Sequence, residues 1–188
     1  MADGVFTLAI CKPAIRRKAN ARDWILGITP KGLGWRLAYA VMVRSKIRGE
    51  DYYSIRRPRR QDQIYRFKNG QFELRNTDIH DKSDGRRDIG SAPGYKNAWI
   101  LKGSRTKTWY WGRKAKPLSE LGRFPNLQRK VEDLSQGHRV NHSKRVRVEL
   151  EELLREVSKR QPGIYGKPRD PPKPCNHDEF ASNQHGVC

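Results

Sequence analysis

Acidic residues are scarce in this chain. Only 20 Asp and Glu stand against 40 Lys and Arg, a formal charge of +20 over 188 residues. Self-repulsion on that scale calls for a polyanionic partner, and nucleic acid is the commonest one. A membrane surface is the weaker alternative. No apolar run approaches the roughly 20 residues needed to span a bilayer, so no membrane segment is expected. Met1-Ala-Asp-Gly4 shows no basic stretch followed by an apolar one, so no secretory signal is expected. Cysteine is also sparse. Three residues, an odd number, do not build a disulfide framework and point to a reducing cytoplasm. Several catalytic fingerprints are missing as well. There is no Gly-rich phosphate loop, no Gly-x-Ser-x-Gly, no His-Glu-x-x-His and no dinucleotide motif. Kinases, hydrolases and dehydrogenases of standard type lose ground accordingly.

What the chain does have is aromatic. Its five Trp, seven Tyr and five Phe concentrate before residue 112, and the core is expected there. Val5–Ile10 fits a buried strand that Pro13 ends or edges. Trp24–Ile28 is a second strand, and Thr29–Gly34 a turn. Trp35–Arg44 alternates with period 2 and predicts a central strand. Glu50–Ile55 reads as a helical turn and Arg56–Arg60 as a basic loop. Ile64–Lys68 and Gln71–Leu74 flank Asn69-Gly70, whose tolerance of positive φ predicts a type I′ hairpin. Thr77–Pro93 reads as a polar loop, with strands at Ala98–Leu101 and Thr106–Trp111 beyond it. Apolar residues three and four apart then predict amphipathic helices over Leu118–Leu134, its main part starting at Pro125, and Val146–Lys159. A polar loop, Ser135–Ser143, separates them. Gln161-Pro-Gly163 ends the second, and from Lys167 the composition is that of a disordered tail.

Strands first and helices second give an α+β class. The expectation is a small curved β-sheet or a β-barrel, then two amphipathic helices and a disordered tail. The divisions are a β-rich core over 1–114, helices over 115–166 packed on the same domain, and a tail over 167–188.

Candidate chemistry sits in several places. Lys12, Arg16 and Arg17 offer a point charge and planar forks suited to phosphate, and Arg36 lies on the central strand among small and basic residues. Trp24, Trp35 and Trp109 offer π-faces for a base, each weighed against core packing. His80, Asp81 and Asp84, with Asp88 nearby, are the catalytic candidates, because an imidazole beside carboxylates serves as general acid or base. The alternative there is a surface loop held by Asx turns. His138 is a candidate lining residue of a nucleotide site, and its spacing from His142 does not suggest a metal pair. Cys175, His177, His185 and Cys188 supply four zinc-type ligands, but their spacing fits no standard finger. No metal or cofactor is assigned.

Two stretches carry a family likeness: Phe6-Thr-Leu-Ala-Ile-Cys-Lys-Pro-Ala-Ile-Arg-Arg17, and Asp23-Trp-Ile-Leu-Gly27 with the following Arg36–Val43. They resemble the nucleotide modification-associated domain family of the second type. His80-Asp81, Ser83-Asp84, Trp109-Tyr-Trp-Gly112 and Gln136-Gly-His-Arg139 are similar to that family's later half, so the likeness covers roughly residues 4–142. Ala21-Arg22 stands where a Gly is usual before Asp23. Phe6 stands where the family's first Cys is expected, so a thiol pair is not implied. More loosely, the strand, basic turn and Asp-Trp-Ile resemble PUA-like β-barrels. The resemblance implies phage or bacterial systems that make, handle or tolerate modified nucleobases, with no defined reaction. The expectation is a nucleic-acid-binding or nucleotide-binding protein, DNA favoured. The alternatives are an enzyme using His80 and a neighbouring Asp, and a basic accessory protein without pocket chemistry.

Overall fold

The computed structural model describes residues 6–54, 63–75, 80, 83–134 and 137–168. The fold is α+β on a strongly curled antiparallel sheet. Its strands are β1 (Thr7–Leu8), β2 (Trp24–Ile28), β3 (Leu37–Arg48) and β6 (Trp99–Tyr110), in the order β1-β6-β3-β2, with a short parallel strand β7 (Gly163–Ile164) pairing β6. The hairpin is β4 (Tyr65–Lys68) and β5 (Gln71–Leu74). Asn69 at φ 51° and Gly70 at φ 75° make the turn that an Asn-Gly pair favours. The helices are α1 (Pro13–Lys18), α2 (Gly49–Ser54), α3 (Asp84–Asp88), α4 (Pro125–Glu132) and α5 (Lys144–Ser158).

Four elements differ from the sequence expectations. Pro13 does not merely end a strand: it occupies the first position of α1, where its missing N–H is no loss. The polar stretch around Asp84 is not all loop. It folds into α3, closed by Gly90 at φ 87°, whose N–H reaches Arg86 O. The two late strands are one. Polar residues at Lys102–Arg105 interrupt the apolar pattern, yet the backbone continues through them as β6. The central strand starts later than expected, because Gly34 and Trp35 both take left-handed φ before Leu37, and it runs further, to Arg48.

The chain divides into two compact units, and β3 and β6 each contribute one part to either. The first comprises Met1–Asp23 and Val43–Ser104. Its core gathers Ala9, Tyr52, Tyr53, Ile64, Tyr65, Ile89, Tyr95 and Ile100. Rings there meet edge to face, as Tyr53 does with Tyr65 at 5.8 Å and Phe72 with Tyr95 at 4.8 Å. Trp99 is this unit's single tryptophan. The second unit comprises Trp24–Met42 and Arg105–Cys188. Its core joins Leu37, Trp109 and Trp111 to the apolar stripes of α4 and α5, among them Leu127, Val131, Val146, Leu153 and Val157. Trp24 and Trp35 pack against this cluster. Among the described residues no helix is long and apolar enough to cross a membrane.

Candidate functional site

The first unit holds a knot of polar side chains that an apolar-pattern reading does not foresee. It begins where β1 ends. Cys11 (φ 54°) and Lys12 (φ 40°) both adopt left-handed backbone, uncommon for residues with a Cβ. This turn aims the Cys11 N–H at Asp88 Oδ1, 3.1 Å away. The next turn of chain, α1, carries Arg16 inward until it is 0% exposed. Its Nε donates to Cys11 O at 2.8 Å, one terminal nitrogen to Asn97 O at 2.6 Å and Trp99 O at 2.9 Å, and the other to Asp88 O at 2.6 Å. Burial pulls the Arg16 pKa below the usual arginine range, against the opposing pull of Asp88. One guanidinium therefore ties the turn at Cys11 to two stretches distant in sequence, at Asp88 and at Asn97–Trp99.

On the other side of the knot, α3 is a helix whose inward face is acidic. Asp84 and Asp88, four residues apart, are 3% and 1% exposed and face the buried His80. His80 Nδ1 lies 3.2 Å from Asp84 Oδ2 in hydrogen-bonding geometry. It lies 3.3 Å from Asp88 Oδ2, close but misaligned, so that oxygen has no hydrogen bond among the described residues. The buried Tyr65 hydroxyl is likewise without one, and burial, with Asp88 and Asp84, pushes its pKa up. Arg87 braces Asp84 from outside, 2.5 Å from Oδ1.

Nδ1, turned to carboxylates, is placed to donate, and the tautomer that does so leaves Nε2 able to accept. Nε2 faces Cys11 Sγ at 4.0 Å. Burial, and next Asp88, push the Cys11 thiol above its ordinary pKa, with Arg87 and Arg16 opposing. The resting thiol is thus protonated at neutral pH. Thiol, imidazole and carboxylate lie in series, with 4.0 Å between sulfur and ring nitrogen and 3.2 Å between ring and carboxylate.

The family model described as nucleotide modification associated domain 2 matches residues 2–173. The chain belongs to that family. No curated protein and no solved structure matches it. Membership connects the chain to modified nucleotides.

Within this nucleotide modification associated domain the sequence candidates fall in different places. His80 and Asp84 come together; Asp81 lies outside the described residues, as do the basic loop at 56–60 and the tail group Cys175, His177, His185 and Cys188. Lys12 is half-buried at the start of α1, and Arg17 is exposed, its guanidinium on Asn97 Oδ1. Arg16 is not at the surface, and its donors go to backbone carbonyls. Trp24, Trp35, Arg36, Trp109 and His138 all belong to the second unit. Trp109 is core, its indole N–H donating to Arg160 O at 3.0 Å. Trp24 stacks on Trp109 and borders a shallow groove of about 530 Å³ with Leu154 and Arg155. Trp35 is half-buried, while Arg36 and His138 are exposed. That groove contains no histidine or cysteine among its lining residues. Sequence reasoning missed Cys11 as a reactive group and left Asp88 at the margin. The spacing of Asp84 and Asp88 was the available signal, and the polar thiol directly before Lys-Pro was the other.

Proposed function

We propose that the protein is an enzyme acting on a base or nucleotide, with Cys11 as nucleophile, His80 as its acid and base, and Asp84 and Asp88 orienting the imidazole. The observation that carries this is one buried ring with Nδ1 held at 3.2 Å by Asp84 and Nε2 turned to the Cys11 sulfur. In the simplest step His80 takes the thiol proton as sulfur bonds to an electron-poor ring carbon. The displaced electron pair of that ring then takes the proton back from His80. The charge of +20 favours a substrate within a polyanion, and the family resemblance points to DNA first, in a phage or bacterial cytoplasm.

The test incubates the pure protein with DNA carrying modified bases, with matching unmodified DNA and with free nucleotides, each with and without a small-molecule extract of the cells. Digested nucleosides are read by mass. A new or missing nucleoside is expected with the wild type, and none with Cys11→Ser or with His80→Gln. Selective binding of modified DNA with no mass change in any arm would overturn the enzyme reading and leave a reader of modified bases.

A further inference from the structure

We propose that the outward face of β3 beside Trp99 is a binding track for single-stranded nucleic acid. Arg44, Lys46 and Arg48 stand at alternate positions of one strand and so share a face, while the intervening Ile47 packs against the first unit's core. Lys46 Nζ lies 4.9 Å and the Arg48 guanidinium 4.7 Å from the centre of the Trp99 ring. Lys46 also donates to Arg17 O at 2.6 Å, which brings the exposed Arg17 to the same place. Two cations therefore meet one half-exposed indole, with Arg44 further along the same strand face and Arg17 joined through its backbone carbonyl. Against them stand Glu50, paired with Arg48, and Asp23, close enough to act on Lys46. The balance is left positive, and a polyanion relieves the repulsion between two cations sharing a ring.

The geometry selects the form of polyanion. Cations on alternate strand residues repeat about every 7 Å. Phosphates of a stacked strand advance about 3.4 Å each, so each cation meets every second phosphate. A duplex would use only the charges, because its bases are sequestered. An unpaired base can also lie on the indole, and Arg adds its own face to the stack. The track also leads somewhere. The Arg16 terminal nitrogen that holds Trp99 O belongs to the guanidinium that holds Cys11 O. The backbone that carries Trp99 and the backbone that carries the thiol are thus held by one buried side chain.

The probe is a labelled oligo(dT) of about twelve nucleotides, within the span of one small domain, followed by fluorescence anisotropy across a salt series. Its duplex with oligo(dA) and anionic lipid vesicles serve as competitors. Single strand should bind best. Lys46→Gln with Arg48→Gln should reduce the log–log salt slope by about 1.4, two phosphate contacts' worth for a single strand. Trp99→Leu should weaken binding about tenfold while leaving the slope unchanged. Arg145→Gln with Arg147→Gln, exposed on α5, removes the same charge elsewhere and should change the slope little. Equal losses from both charge pairs, equal binding of duplex, or vesicles competing as well as oligo(dT) would each overturn the proposal. The assay reads binding alone, so a failure of the Cys11 chemistry leaves its outcome untouched.

Discussion

Replacing Arg16 by methionine separates two accounts of this residue. If Arg16 served phosphate, its loss would weaken ligand binding and leave the fold intact. The structure makes it a tie instead, with four donated bonds between 2.6 and 2.9 Å to the carbonyls of residues 11, 88, 97 and 99. Each bond from a charged donor contributes about 1.5–3 kcal/mol, and each buried carbonyl left alone costs about 1–3 kcal/mol. Removing a guanidinium that is held out of water gives back several kcal/mol. The expected net loss is about 3–5 kcal/mol, a large part of the roughly 5–15 kcal/mol that holds a domain together. For a chain of this length that lowers Tm by about 10 °C. Thermal melts and urea titration followed by far-ultraviolet circular dichroism would measure it. Arg16→Lys should lose about half as much, since a point ammonium cannot reach four carbonyls around a planar fork. A loss below about 1 kcal/mol for Arg16→Met would refute the tie, and refutation would be complete if nucleotide binding fell at the same time.

Asp88 is a cause, after burial, of the raised Cys11 pKa. With Cys175 and Cys188 changed to Ser, Asp88→Asn should therefore speed iodoacetamide labelling of Cys11 at pH 8 by about two- to fivefold, since only the thiolate reacts. An unchanged or slower rate would contradict the assignment. Glu149 makes the opposite case. Burial pushes its pKa up, but bonds from the Leu127 N–H, the Asn126 side chain and the Asn126 N–H outweigh it and leave it lowered. A lowered carboxyl contributes stability above its unfolded pKa of about 4.3 and loses it as pH falls through the folded value. Glu149→Gln should thus cost about 1 kcal/mol at pH 7, since the carboxylate caps the start of α4, and almost nothing near pH 3. Urea midpoints at the two pH values give the comparison, and a constant difference would count against the capping charge.

How much of this was readable from residues depends on what each buried face is made of. The hairpin announced itself through Asn69-Gly70, and α5 through Val146, Leu153 and Val157, because turn chemistry and an apolar stripe are local signals. Helix α3 was invisible to the same test, since its buried positions are Asp84 and Asp88 and its partner is a histidine. Helix α1 spans six residues, too few for a period to show, and opens on a proline that also suits the end of a strand. His80 and Asp84 could be named as a pair from their spacing. Cys11 could not join them, because its neighbourhood is made by residues 69 to 77 positions away. Arg16 misled for a related reason. In a chain this basic an arginine is ordinarily solvated, and the carbonyls that draw this one inward come together only when β6, α3 and the turn at Cys11 are in place.

The placement of the indoles has an optical consequence. Trp24, Trp35, Trp109 and Trp111 lie in or against one core, with Trp24 and Trp109 stacked at 6.1 Å, whereas Trp99 stands apart in the other unit between two cations. Replacing Trp99 by phenylalanine leaves an emission spectrum from the second unit alone, and subtracting it from the wild type isolates the first. The two units thus carry separable spectra, and the order in which they melt can be read from the wild type and this one variant without a label.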